Sequence, residues 1–356
     1  MNQLVLNIIK EPLLYGSPRT PDKPLVSVCI TAYKHEAFIE QCIQSILDQN
    51  TGFEYEIILG EDDSNDGTRE LSKRLADENP DKIHLYLHHR ENVIEVLGGK
   101  TGRFNFLYNL SKATGKYIAL CDGDDYWTDP NKLQKQVDIL EKYPKVAISA
   151  HEVKVWKNGL FSNPTGHKPK GEWNTILDLA KVNFIHTASC MYRNGIQYPD
   201  WLLSTSTADY PLHMLNSERG DIHYSSDVMA AYRVHEGGVW SKQSQEDIHR
   251  RWVHQLLTMR PYFQKEVQEI FDVQIKGFMA VALKESHVAK KDINRKWFEE
   301  ALASESEGAR EELITILSKV LSDTHVKRSA LNADFLSREI KFSELFTALW
   351  NKVIKK

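Results

Sequence analysis

The stretch Tyr117-Ile118-Ala119-Leu120-Cys121-Asp122-Gly123-Asp124-Asp125-Tyr126-Trp127 decides how the rest of the chain is read. An apolar, β-prone run carries the chain straight into three carboxylates within four positions. A buried strand has no use for unpaired carboxylates, because burying such charge is costly. The polar end of a strand is where an α/β protein gathers its chemistry, at the carboxyl edge of the sheet. Carboxylates this close repel one another unless a cation sits among them. Hard oxygen ligands of this kind suit Mg²⁺ or Mn²⁺, with phosphate oxygens completing the shell. The plainer reading is a strand followed by an acidic turn, since Asp and Gly are ordinary turn residues.

Working outward, the flanking chain repeats the pattern. Leu25-Val26-Ser27-Val28-Cys29-Ile30 is a nearly continuous apolar run, typical of a strand buried on both faces. It ends in Thr31-Ala32-Tyr33-Lys34-His35-Glu36, and Phe38, Ile39, Cys42, Ile43, Ile46 and Leu47 then recur at helical spacing. Tyr55 to Gly60 is a second strand, running into Glu61-Asp62-Asp63-Ser64-Asn65-Asp66-Gly67-Thr68, with a helix through Leu71 and Leu75. Ile83 to Leu87 is a third strand, Phe104 to Ala113 a further helix, and the run ending at Asp122 the fourth strand. Strands alternating with helices predict βαβ units and a mostly parallel sheet with helices on both faces, a Rossmann-like α/β fold. Right-handed crossovers place the loops after each strand along one edge. Thr31–Glu36, Glu61–Asp66 and Asp122–Asp125 are therefore expected to converge on one cleft.

Composition narrows the function classes. The chain has 356 residues, enough for one large or two moderate domains with a real core. Its 45 basic and 49 acidic residues give a net charge of −4, which argues against a nucleic-acid binder. Cys29, Cys42, Cys121 and Cys190 lack metal-like spacing and read as buried free thiols in a reducing compartment. No apolar run approaches the ~20 residues of a membrane span, and the N-terminus lacks a signal pattern. A cytoplasmic location is expected. Residues 1–23 read as a leader broken by Pro12, Pro18 and Pro21.

Three segments together carry a resemblance. Val26-Ser27-Val28-Cys29-Ile30-Thr31-Ala32-Tyr33, then Glu61 to Thr68, then Asp122-Gly123-Asp124-Asp125 resemble a family 2 glycosyltransferase, non-processive and inverting, of the GT-A fold. The resemblance covers residues 24–241, with 24–125 as the nucleotide-binding half and 126–241 as the acceptor half. It implies that Thr31 and Tyr33 hold the nucleotide base, that Glu36 lies near the ribose, and that Asp62 accepts from the base ring. Such an acceptor favours uridine or thymidine. The family's usual glycine after the paired acids is Asp63 here, and the first acid is Glu61. Arg103, with Lys100 as neighbouring candidate, falls where the family often keeps a cation near the pyrophosphate. Asp122 would meet ribose and metal and Asp124 would bind the metal, while Asp125 takes a more structural part. A Mn²⁺ or Mg²⁺ ion would offset charge developing on the diphosphate, and a buried Arg would add charge-assisted hydrogen bonds.

The acceptor half carries weaker signals. Asn183 to Arg193 resembles the family's strand under the donor sugar, where His186 or Thr187 would touch it; a core strand with a tolerated His is the alternative. Asp209 opens a helix. It is either an N-cap or, as the resemblance implies, the catalytic base that takes the acceptor proton. A strand ends at His235, and Gly237-Gly238 follows as a loop able to close over the diphosphate, with His235 on metal or phosphate. A surface loop with an incidental His is the bland reading. In the segment Trp201 to Thr207 an aromatic is available to stack on an acceptor sugar.

Residues 242–356 read as a helical region. Its last segment, from Phe342 to Lys356, has an apolar stripe beside Lys341, Lys352, Lys355 and Lys356. It fits packing on the protein itself, a homo-oligomer, or peripheral membrane contact. Competing functions in the same fold class fit less well. A sugar nucleotidyltransferase needs a glycine-rich loop after the first strand, and none is present. Processive synthases carry Gln-x-x-Arg-Trp, but Ile248 precedes Arg251-Trp252 where Gln belongs. A non-catalytic sugar-nucleotide-binding scaffold would have no need of Asp209. The expected function is transfer of one sugar from a UDP- or dTDP-sugar to a glycan, lipid-linked or protein acceptor.

Overall fold

The computed structural model describes residues 6–19, 23–157, 159–162, 168–238 and 243–289, with the side chains of 246 and 279–289 excepted. The chain divides into two units, Met1–Gln243 and Ser244–Lys356. The strands are β1 (Leu13–Leu14), β2 (Val26–Ala32), β3 (Tyr55–Glu61), β4 (Ile83–Leu87), β5 (Ile94–Val96), β6 (Gly99–Thr101), β7 (Tyr117–Asp122), β8 (Tyr126–Trp127), β9 (Val146–Lys157), β10 (Leu160–Ser162), β11 (Trp173–Asn174), β12 (Met191–Arg193) and β13 (Asp221–Val234). The helices are α1 (Ile39–Leu47), α2 (Thr68–Glu78), α3 (Arg103–Lys112), α4 (Lys132–Lys142), α5 (Ile176–Lys181), α6 (Asp209–Ser217), α7 (Gln245–Met259) and α8 (Lys265–Ala289).

The main sheet runs β1-β4-β3-β2-β7-β12-β9-β13-β11. β4, β3, β2 and β7 are parallel neighbours, as continuous apolar strands predict. Alternate residues of β2 face opposite layers. Val28 and Ile30 join Ile39, Cys42, Ile43 and Ile46 of α1 in one apolar cluster. Cys29 points the other way, its thiol 3.7 Å from the Asn109 carbonyl on α3. Register then aligns the strand ends: Thr31 of β2 pairs with Asp122 of β7, and Ala32 pairs with Glu61 of β3. The three expected loops do share one edge.

Beyond β7 the sheet becomes mixed. β12 lies antiparallel to both β7 and β9, while β9 and β13 form a long parallel pair. The stretch Asn183 to Arg193 is not one strand, as it is a 3₁₀ turn at Thr187–Ser189 followed by β12. The segment read as a proline-broken leader is partly built into the sheet. Leu13 and Leu14 pair with Leu87 and Tyr86 between Pro12 and Pro18. The Asn92 side chain accepts from the Ile9 and Lys10 amides at 2.9 and 3.0 Å and donates to the Lys10 carbonyl at 2.6 Å.

In the second unit α7 and α8 bury Val253, Leu256, Phe263, Val267, Phe271 and Ile275. Arg260 and Asp272 form an ion pair at 2.6 Å. The stripe from Phe342 to Lys356 lies outside the described residues. Among the described residues no helix is long and apolar enough to cross a membrane. The four cysteines are buried free thiols.

Candidate active site

The acidic turn is tied to its neighbours through both backbone and side chains. The Thr31 hydroxyl donates to Asp122 Oδ1 at 2.8 Å, and the Gly123 amide donates to the Thr31 carbonyl at 2.9 Å. Gly123 is required by this close approach, since a Cβ there would lie 2.8 Å from His35 Nδ1. Burial, and then the charge of Asp124, pushes Asp122 up to about 7, while hydroxyls of Thr31 and Thr187 pull it back.

Asp124 sits between two histidines. His235 Nε2 is 3.0 Å from Asp124 Oδ2, and His35 Nε2 is 3.7 Å from the same oxygen. Burial would raise the Asp124 carboxyl, but the His235 hydrogen bond and the charge of His35 outweigh it and leave it below its ordinary value. The Gly237 amide donates to His235 Nδ1 at 3.2 Å, so in the neutral ring the proton sits on Nε2, facing Asp124. His235 also packs on Phe38, with ring centroids 4.6 Å apart.

Asp125 is turned away from this group. It is buried, and accepts from the Arg233 amide at 2.8 Å. Arg233 in turn donates to the Asp124 carbonyl at 2.6 Å, bonds Gln41, and lies over Tyr126 with its guanidinium 4.2 Å from the ring centroid. The expected structural part for Asp125 thus has a geometric form: it clamps β13 to the acidic turn.

A second cluster forms where β3 ends. Glu61 is fully buried and bound by Arg69 at 2.5 Å, with the Ser64 amide donating to it at 2.8 Å. Asp62 is 3% exposed and pairs with Arg90 at 2.6 Å. Burial pushes Asp62 up to about 7 against the pull of Arg90, with Glu61 and Asp63 adding to the rise. The Arg90 guanidinium lies 4.4 Å from the centre of the Tyr33 ring, which is 38% exposed. Asp63 has φ of 56°, the left-handed region that glycine adopts most easily. That accounts for a glycine being usual at this position. Glu36 is exposed beside Gly67.

On the acceptor side, Asp209 is the first residue of α6. The cap position is Ala208, and no side chain caps the helix, so the N-cap reading of Asp209 fails. Its charge reaches Asp122, Arg103, His186 and His213. His213, one turn further along α6, is fully buried, and burial pushes it down to about 4. Thr187 lies in the 3₁₀ turn before β12, and His186 packs on Tyr232 at 5.3 Å between ring centroids.

Three expectations change. Arg103 is 3% exposed and spends its guanidinium on the Leu202 carbonyl and on Thr205 Oγ1, the latter at 2.5 Å. Burial pushes it down to about 10. It anchors the loop that delivers Asp209 and presents no open face. Lys100 stands exposed on β6 of the small β5-β6 hairpin, outside these contacts. Trp201 is 8% exposed and packed inside, not offered to a sugar ring. Sequence reasoning missed Arg90, which sits in a short 3₁₀ turn with no motif around it, and gave His35 no role. Among the described residues no group of three or more His, Cys, Asp or Glu is gathered tightly enough to hold an ion unaided.

Residues 27–234 match the model of glycosyl transferase family 2. Rv1520, an uncharacterized protein of Mycobacterium tuberculosis, is 33% identical over 219 residues, 60% of this chain and 60% of its own length. An Escherichia coli protein, WfaP, described as UDP-Glc:alpha-D-GlcNAc-diphosphoundecaprenol beta-1,3-glucosyltransferase, is 27% identical over 227 residues, 62% of this chain and 82% of its own. S. aureus TarS 1–349 superposes with a TM-score of 0.56 at 17% identity, covering 86% of this chain and 87% of that one. Its form with UDP-GlcNAc gives 0.52 at 16% identity over 83% and 80%. The fold is thus a Rossmann-like α/β fold of the GT-A type, shared with TarS. The chain belongs to glycosyl transferase family 2, and it spans about 60% of the length of the Mycobacterium relatives it matches.

Proposed function

We propose that this protein transfers one sugar, with inversion, from a UDP-sugar (or dTDP-sugar) to a hydroxyl of a glycan or lipid-linked acceptor, with Asp209 as the base. One observation carries the reading: Asp209 stands uncapped at the start of α6, within electrostatic reach of Asp122 at the carboxyl edge of the sheet. A carboxylate there can take the acceptor proton while the leaving diphosphate departs on the opposite side. Tyr33 and Asp62, joined through Arg90, offer a stacking face and an acceptor to a uracil or thymine ring. Arg90 engages Asp62 Oδ2 and leaves Oδ1 for the base.

The donor set fits Mn²⁺ or Mg²⁺. Asp124 Oδ2 and His235 Nε2 face each other at 3.0 Å, a carboxylate and an imidazole of the kinds that bind divalent ions. Asp124 and His235 would hold the ion, with Asp122 beside them and phosphate oxygens filling the shell. The ion supplies Lewis-acid neutralisation of the diphosphate. The chain's own residues do the rest. Thr31 holds Asp122 in place, Arg233 and Asp125 fix the turn, and Arg103 sets the loop before Asp209. The name of the WfaP relative, at 27% identity, supports a lipid-diphosphate-linked acceptor and a part in surface-glycan synthesis.

The test is UDP release from UDP-glucose and UDP-N-acetylglucosamine with candidate acceptors, alongside calorimetry of UDP with and without Mn²⁺. Asp209→Asn is expected to lower kcat by about 10²–10⁴-fold with UDP affinity unchanged. Asp124→Ala is expected to lose metal-dependent UDP binding. Undiminished turnover in Asp209→Asn would sink the assignment of the base.

A further inference from the structure

A cavity of about 490 Å³ opens beside the acidic edge, on the β9–β13 side of the sheet. Its size falls within the ~300–1,000 Å³ of small-molecule sites. His186 forms one wall of it, packs on Tyr232 of β13, and feels the charge of Asp209. The cavity is thus linked to Asp209 through the His186 side chain. Its far wall is made where β13 departs from regular pairing. Ser225 pairs with His151 and Val228 with Glu152, so two extra residues are accommodated between them. Such bulges re-aim side chains and recur next to active sites. Here the bulge lines the cavity with Ser225.

The remaining lining is chemically mixed. Phe184 and Tyr224 meet edge to face at 5.9 Å between ring centroids. His223 is 5% exposed and binds the exposed Glu172 carboxylate at 3.2 Å through Nε2. Its Nδ1 is also buried and has no partner among the described residues. A buried polar atom left unpaired is costly, and ligands often satisfy such atoms. The half-buried Tyr224 ring, backed by the buried Phe184, suits the apolar side of a pyranose, and carboxylate, imidazole and hydroxyl suit its rim.

We propose that this cavity is the subsite for the acceptor glycan, holding its terminal sugar so that one hydroxyl reaches Asp209 past His186. This rests on the glycosyltransferase reading above and adds the place and the residues that select the acceptor. Selection then lies with His223, Glu172 and the Ser225 bulge, not with the Trp201–Thr207 segment.

Saturation-transfer NMR tests it on the full chain with UDP and the diamagnetic Mg²⁺. The probes are the methyl glycosides of glucose, galactose, mannose and N-acetylglucosamine, each as both anomers. At least one glycoside should receive saturation. Ser225→Trp, which fills the cavity, should weaken its binding by about tenfold or more. Glu172→Ala, at an exposed position, should weaken it by roughly threefold, and both variants should retain the UDP signals. If UDP binds but no glycoside does, or if both variants bind glycosides as the parent does, the subsite inference is overturned and the donor reading survives. If UDP itself fails to bind, the underlying reading falls and takes this one with it.

Discussion

At the scale of single residues, Asp62 is where environment and chemistry pull hardest against each other. Its ordinary value of 3.8 is raised to about 7 because burial disfavours the charge more than Arg90 restores it. For a carboxyl raised on folding, the proton is held more tightly in the folded state. It therefore adds stability below the unfolded value, and that contribution is lost as pH rises through about 7. Function has the opposite sign, since the ionised carboxylate accepts a hydrogen bond from a base ring more strongly than the acid does. Uridine binding should accordingly be weaker at pH 6 than at pH 8, by up to about tenfold. Asp62→Asn, neutral throughout, should bind with a flat profile. Uridine carries no phosphate, so neither metal nor phosphate protonation enters the measurement. A profile equally steep in Asp62→Asn would shift the titration to another group, with Asp122 first in line because burial raises it into the same range.

At the scale of elements, α3 sets the height of the strand ends through two buried amides. Asn105 donates to the Gly60 carbonyl at 2.8 Å, and Asn109 donates to the Ile30 carbonyl at 2.9 Å and to Asn105 Oδ1 at 2.8 Å. Both carbonyls lie just before the acidic loops of β3 and β2. Gly60 permits this approach, because an added Cβ would come 1.9 Å from Asn105 Oδ1 and 2.6 Å from Asn109. Gly60→Ala should therefore cost about 1–3 kcal/mol and lower Tm by roughly 5 °C. It should weaken uridine binding as well, since Glu61 and Asp62 follow directly. A thermal melt with uridine titration checks both, and an unchanged Tm would show that α3 can yield. None of this was legible beforehand, because a lone Gly in an apolar run reads only as a weak point in a strand. What was legible were the four parallel strands, whose continuous apolar runs report burial on both faces. The β9–β13 pair escaped notice for a physical reason. His151, Glu152 and Lys154 interrupt one strand, and Ser225, Ser226 and Asp227 interrupt the other where the bulge breaks alternation. Of the site, the carboxylates were readable because they cluster in sequence. Arg90 and the partners of Arg103 were not, since Leu202 and Thr205 are distant in the chain and meet Arg103 only through the fold.

At the scale of the whole molecule, every element of the proposed reaction belongs to the first unit. The base-binding pair Tyr33 and Asp62, the acidic turn, Asp209, His235 and the glycan cavity all precede Ser244. The apolar cluster that supports them is likewise drawn from Val26 to Ala230, with no residue of the second unit in it. Among the described residues every strand pairing of this sheet lies within the first unit, so cutting the chain after Gln243 removes none of them. A fragment of residues 1–243 is therefore expected to unfold in a single cooperative transition and to bind UDP with Mn²⁺ within about threefold of the full chain, a difference under roughly 0.7 kcal/mol. Calorimetry and a denaturant melt on the two proteins give the comparison. If the fragment keeps UDP affinity but loses turnover on a lipid-linked acceptor, the second unit acts in delivering that acceptor. If it neither folds nor binds UDP, the donor site depends on residues after 243, and the assignment of the reaction to the first unit is wrong.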